Sequence, residues 1–205
     1  MAQNIGTLQR KLSTLIEELK RARNTWDEIN SHSFPAANTL TNLVIQSRYV
    51  DETQYWHPQL TMEFPNVIQK FDAKMQLLIE KQNAVLVDLV EKMAKQYNKM
   101  QNIYQELLAV YDRTRDSHGA EFVDQQAIYL TCPLKTFVDR LDMITAMFKS
   151  ELLTKRSMVS ATGFSGILTR EEGVVLLSIW INQPSIVKST LQDWDDICST
   201  EMGLQ

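Results

Sequence analysis

The chain has 205 residues, 44% of them apolar, which is enough for one large or two small domains with a buried core and argues against wholesale disorder. Six Gly and five Pro are few for a turn-rich β fold and favour long helices. A net charge of −4 gives no general drive toward nucleic acid or anionic lipid, and basic residues never cluster with interleaved aromatics, so direct nucleic-acid binding is not expected.

The N-terminus, MAQNIGTLQRKL, has no apolar core after a basic start, so no secretory leader is expected. No apolar run approaches the ~20 residues that span a bilayer, and no membrane association is expected. Cys132 and Cys198 are too far apart in sequence to suggest a zinc site or a disulfide framework. They fit reduced thiols in an intracellular protein.

The first predicted helix covers about residues 4–30. Ile5, Leu8, Leu12, Leu15, Leu19, Ala22, Trp26 and Ile29 alternate in steps of three and four, which is a coiled-coil seam. The seam either packs within the chain or is shared with a partner. Asn30 to Pro35 reads as a break, with Pro35 in the first turn of a second helix over about 36–49. Residues 50–64 read as a connection whose Trp56 folds back on the helices.

Pro65 is placed to open a very long helix, about 65–116, with no Gly inside it. Such a helix extends roughly 75 Å at about 1.5 Å per residue. A compact domain of this size is only about 35 Å across. Met75, Leu86, Tyr97 and Leu108 lie eleven apart, as do Leu78, Leu89, Met100 and Tyr111, so a nearly straight rod without one heptad register is expected. Gly119 marks its end.

Residues 120–131 are ambiguous. Thr131 or Cys132, ahead of Pro133, marks the start of a helix over about 133–161. Near its end Lys149, Glu151, Lys155 and Arg156 form either a solvated face or a docking patch. Thr169 and Glu172 spell a capping box opening a helix over about 170–182, apolar nearly all round and therefore expected to be buried. Pro184 ends it, and Ser185 is placed to cap a last helix over about 186–200.

The expected fold is all-α: an elongated antiparallel coiled-coil or helical bundle over 1–162, with one very long central helix, and a C-terminal helical hairpin over 163–205. His32, His57 and His118 fall in separate loops without a second ligand at helical spacing, so no metal site is expected. No phosphate-binding, dinucleotide-binding or nucleophile-elbow motif occurs, so neither a cofactor nor an enzymatic activity is expected.

Two blocks resemble the cyclin-dependent kinase 2-interacting protein family. The first contributes Trp26, Phe34, Ala37, Asn38, Asn42 and Leu43. The second is similar to E-L-L-x-K-R followed by L-S-x-W-x-x-Q-P, through Glu151, Leu152, Leu153, Lys155, Arg156, Leu177, Ser178, Trp180, Gln183 and Pro184. The resemblance implies a non-enzymatic nuclear adaptor, with the cytoplasm as a second compartment. Implied partners are a second small helical coiled-coil subunit, the subunits of a chromatin-linked AAA+ ATPase assembly and a cyclin-dependent kinase, in a hetero-oligomer. It also implies a role in replication and in maturation of the large ribosomal subunit. The partner-binding residues expected from seam and motifs together are Leu12, Leu19, Trp26, Phe34, Asn38, Lys155, Arg156, Trp180, Gln183 and Pro184. A structural coiled-coil subunit of another assembly, of kinetochore or tethering type, is the alternative.

Overall fold

A computed structural model describes residues 5–50 and 52–203. The expected first residue of the N-terminal helix, Asn4, lies outside them. The described chain is all-α. It comprises α1 (Ile5–Ser47), α2 (Pro58–Glu63), α3 (Val67–His118), α4 (Ala120–Gln125), α5 (Leu134–Met158), α6 (Arg170–Asn182) and α7 (Lys188–Met202), with single 3-10 turns at Thr53–Tyr55 and Phe164–Gly166. Packing groups these segments into two compact units. Among the described residues, one draws on 5–27, 94–151 and 184–203, the other on 28–50, 52–93 and 152–183.

In the first unit the heptad of α1 closes within the chain. Leu8, Leu12, Leu15, Leu19, Ala22 and Trp26 are all buried. Ile103 and Leu107 of α3, Phe137, Ile144 and Phe148 of α5, and Trp194 of α7 are buried in the same unit. Trp26 meets Phe148 edge-on at 5.2 Å, and Phe137 meets Trp194 at 6.2 Å. Lys11 pairs with Glu106, whereas Ala22 and Thr25 share a shallow cleft with Gln96 and Lys99, so α1 and α3 run antiparallel here. Arg23 binds Asp195 through two hydrogen bonds of 2.8 and 3.0 Å, tying α7 to α1.

The buried side of α3 in this unit corrects the expected eleven-residue drift. Gln96, Met100, Ile103, Leu107, Val110 and Thr114 are buried at strict steps of four and three. Two of those positions are polar, and Thr114 donates to Val110 O, so a pattern read from apolar residues alone misses the heptad.

In the second unit the main correction is at Pro35. The sequence suggests a break there, yet α1 continues through it. Proline removes one amide and crowds the carbonyl four residues earlier. Ser31 and Pro35 are both exposed, so water can satisfy the Ser31 carbonyl. Beyond Pro35, Ala37, Leu40 and Val44 are buried, and Ala36 O accepts from Gln82 Nε2 at 3.1 Å. Tertiary packing thus outweighs the local cost.

Other boundaries also move. Pro65 precedes α3 instead of opening it, because Asn66 O accepts the first α3 bond, from Lys70 N. His57 caps α2 inside the stretch expected to be a loop, with its ring accepting from Gln59 N. Trp56 folds back as expected, 5.4 Å from Phe71. α5 ends at Met158, ahead of Gly163, where a Cβ would lie 2.0 Å from Met158 O. α7 starts at Lys188 with Val187 at its cap; the Ser185 amide instead donates to Glu151 Oε2. The Thr169–Glu172 capping box forms as the sequence suggests.

Gly173 on α6 is the close-approach point of this unit. A Cβ there would lie 2.7 Å from Thr41 Cγ2 and 3.3 Å from Ile45 Cδ1 of α1. Alanine gains about 1 kcal/mol of helix propensity over glycine. Overpacking costs about 1–3 kcal/mol. Gly173→Ala is therefore expected to lower stability in chemical denaturation. Adding Thr41→Ser, which removes the obstructing methyl, should recover most of the loss; an equal loss in both backgrounds would refute the assigned contact.

Candidate interaction surfaces

Three residues singled out by sequence sit in or against one buried knot of the second unit: Lys155, Trp180 and Phe34. Lys155 at the end of α5 and Trp180 on α6 are fully buried, and Phe34 on α1 is half-buried beside Ser33. Lys155 Nζ donates to Asn30 Oδ1 at 2.6 Å and to the Trp180 carbonyl, and lies 4.3 Å from the Trp180 ring centre. Trp180 Nε1 donates to Ser33 Oγ at 2.8 Å, and Ser33 Oγ donates to Asn30 O at 2.7 Å. Phe164 meets the indole edge-on, 5.5 Å away. A buried ammonium is tolerated only where its donors are met, and these contacts make Lys155 an internal tie between α5, α1 and α6.

The expectation of a solvated face near the end of α5 is therefore corrected. Glu151 and Lys155 are buried; Lys149 and Arg156 are exposed, and Arg156 reaches Glu91 at 3.3 Å. Among the other residues expected at a partner interface, Leu12, Leu19 and Trp26 are in the core of the first unit. Asn38 and Pro184 are exposed. Gln183 ends α6 in the left-handed conformation, with φ 49°. The structure brings Lys155 and Trp180 together and leaves Asn38, Arg156 and Pro184 available at the surface.

The first unit holds a second polar site. Glu201, 6% exposed, accepts from the amides of Leu130 and Thr131 at 2.9 and 3.0 Å and from the Thr131 hydroxyl. Thr131, expected to mark the start of α5, is instead a ligand of this carboxylate. Burial pushes the Glu201 carboxyl up, but the Thr131 hydroxyl and the amides of Thr131, Cys132 and Leu130 outweigh it and hold the pKa at about 2. Burial also pushes the neighbouring Cys198 thiol up to about 12, which leaves it unreactive at neutral pH.

Sequence reasoning missed the exposed apolar surface. α6 was expected to be buried, yet only Gly173 and Trp180 are; Val174 is 59% and Val175 56% exposed, as are Ile181 and Leu168 in large part. An open groove of about 540 Å³ runs beside α6 between Thr162, Gly163, Ile167, Leu168, Val175 and Leu176. Leu77, at 66%, Phe71, Leu78 and Val85 are exposed on α3. The available signal was that α6 is too short to bury a whole circumference in a unit this small.

Among the described residues, no His, Cys, Asp and Glu side chains group closely enough to hold a metal ion, and no helix is long and apolar enough to cross a membrane. Fold and surface together define an all-α helical-bundle protein with buried cores and large apolar side chains open to solvent. Residues 6–201 match the CA109-like family, described as ribosome biogenesis protein C1orf109-like. The chain belongs to that family. No curated protein matches it.

The Glu201 site generates a pH prediction. Its folded pKa lies below the ordinary value of 4.5, so its contribution is complete above 4.5 and is lost as pH falls toward about 2. Glu201→Gln is expected to cost about 1.5–3 kcal/mol near pH 7, the range for hydrogen bonds to a charged group. In urea titrations across pH the gap to the wild type should close between pH 4.5 and 2. A gap that stays constant across that window would contradict the assignment.

Proposed function

We propose that this chain is a non-enzymatic adaptor subunit in ribosome biogenesis, holding other proteins together in an assembly built around a AAA+ ATPase. The observation that carries the reading is the apolar surface of α6 and α3, left exposed beside cores that are already closed. Exposed apolar side chains that gather into a patch favour protein association. Membership of a ribosome biogenesis family supports a role in ribosome maturation. The finer terms rest on the resemblance of Trp26–Leu43 and Glu151–Pro184 to the cyclin-dependent kinase 2-interacting protein family. They are the ATPase link, the second small helical subunit, chromatin replication, kinase binding and residence in the nucleus. The exposure of Asn38, Arg156 and Pro184 supports a direct contact of these motif residues with such partners. Lys155 and Trp180 act by setting the surface on which those partners dock.

The test is purification of the chain, tagged at its native expression level, followed by identification of the proteins retained. A AAA+ ATPase and a second small helical protein in stable proportion are expected. Recovery as a stable monomer without an ATPase would overturn the reading. Recovery with kinetochore or tethering proteins instead would favour the alternative of a structural subunit elsewhere.

A further inference from the structure

The first half of α3 carries two stripes. Met75, Ile79, Leu86 and Val90 form the buried one. The second runs beside it through Phe71, Lys74, Leu78, Lys81, Val85 and Asp88, in strict steps of three and four. All six are exposed, the three apolar ones by 41%, 39% and 42%. Phe71, Leu78 and Val85 fall within about 40° of one another on a helix turning about 100° per residue. That is the width of a coiled-coil seam, and Leu77, 66% exposed, stands one step of about 100° to its side.

The charges on this seam have one dominant sign. Lys74 and Lys81 occupy seam positions, and Lys70 flanks them. The side chains of these three make no ion pair among the described residues. The seam's one acid, Asp88, is neutralised by Lys92 at 2.7 Å. A second copy of the same stripe fits badly. In parallel register it sets Lys74 against Lys74 and Lys81 against Lys81, and in antiparallel register it sets Phe71 against Asp88. A polar residue in a seam selects its partner in this way.

We infer that the exposed stripe Phe71–Lys74–Leu78–Lys81–Val85 is a coiled-coil docking seam for a partner helix that carries apolar seam residues interrupted by carboxylates. The inference deepens the adaptor reading and rests on it for biological meaning. The seam fixes what the partner must offer: apolar side chains to cover Phe71, Leu78 and Val85, and a Glu or Asp opposite each lysine. Contact through the lysines makes the association sensitive to salt.

Two synthetic four-heptad peptides test this against the whole chain. One has a leucine seam interrupted by Glu; the other has Lys in place of each Glu. The acidic peptide is expected to bind, more weakly as salt rises, and at least about tenfold tighter than the basic one. The doubly substituted chain Lys74→Glu, Lys81→Glu should reverse that preference. Both lysines are exposed, so folding is expected to survive and is checked by circular dichroism. Leu78→Ser should weaken both modes. Equal binding of the two peptides, no binding of either, or a preference that the charge reversal leaves unchanged would overturn the seam. So would adsorption of the chain to phosphatidylserine vesicles through the same lysines with no peptide binding. The adaptor reading fails separately. An ATPase still co-purifying with the charge-reversed chain sinks the seam alone, whereas peptide selectivity without any ATPase recovered sinks the adaptor alone.

Discussion

The second unit depends on a single buried ammonium. Lys155 reaches Asn30 and the Trp180 carbonyl, and Trp180 in turn holds Ser33. Asn30 and Ser33 lie on the last turn of α1 before Pro35. Burying an unpaired ammonium costs several kcal/mol, so the arrangement is stable only while α1, α5 and α6 keep their places together. It also explains why α1 does not stop where its local sequence says it should. Side chains 125 and 147 residues away fix the turn ahead of Pro35. Burial of Ala37, Leu40 and Val44 then fixes the turns after it.

Features governed by neighbours in sequence were legible from sequence. The capping box at Thr169, the stop at Gly119 and the Ile5–Ile29 seam are all local patterns; the first two form, and the seam is buried from Leu8 to Trp26 while Ile5 is exposed and Ile29 half-buried. Gly119 has φ 90°, backbone territory that favours glycine, and its amide bonds Arg115 O at the end of α3. Features set by distant partners were not legible. Pro35 obeys a local rule until tertiary contacts override it. Thr131 and Ser185 look like caps, yet their amides serve Glu201 and Glu151. On α3, apolar spacing alone does not say which of two adjacent stripes is covered. Met75 and Leu78 both lie on eleven-residue spacings, yet Leu78 is exposed while Met75 is buried.

The candidate site was legible in part for the same reason. Lys155 and Trp180 stood out through a motif, and the structure places them in contact, but as interior groups. A motif records that residues matter together without saying whether they touch a partner or each other. Here they hold α6 so that Val174, Val175 and Ile181 face solvent. The interior residues position the surface and leave the exposed apolar side chains of α6 open to solvent.

The central claim is that the chain completes its own helices and offers only what is left over to partners. Amide hydrogen exchange along α1 in the isolated chain tests it most directly. Slow exchange is expected from Leu12 to Val44, interrupted only at the exposed positions around Pro35, with no partner present. Fast exchange throughout that span, slowed only when a partner is added, would mean that the α1 seam belongs to an interface between chains and would contradict the account.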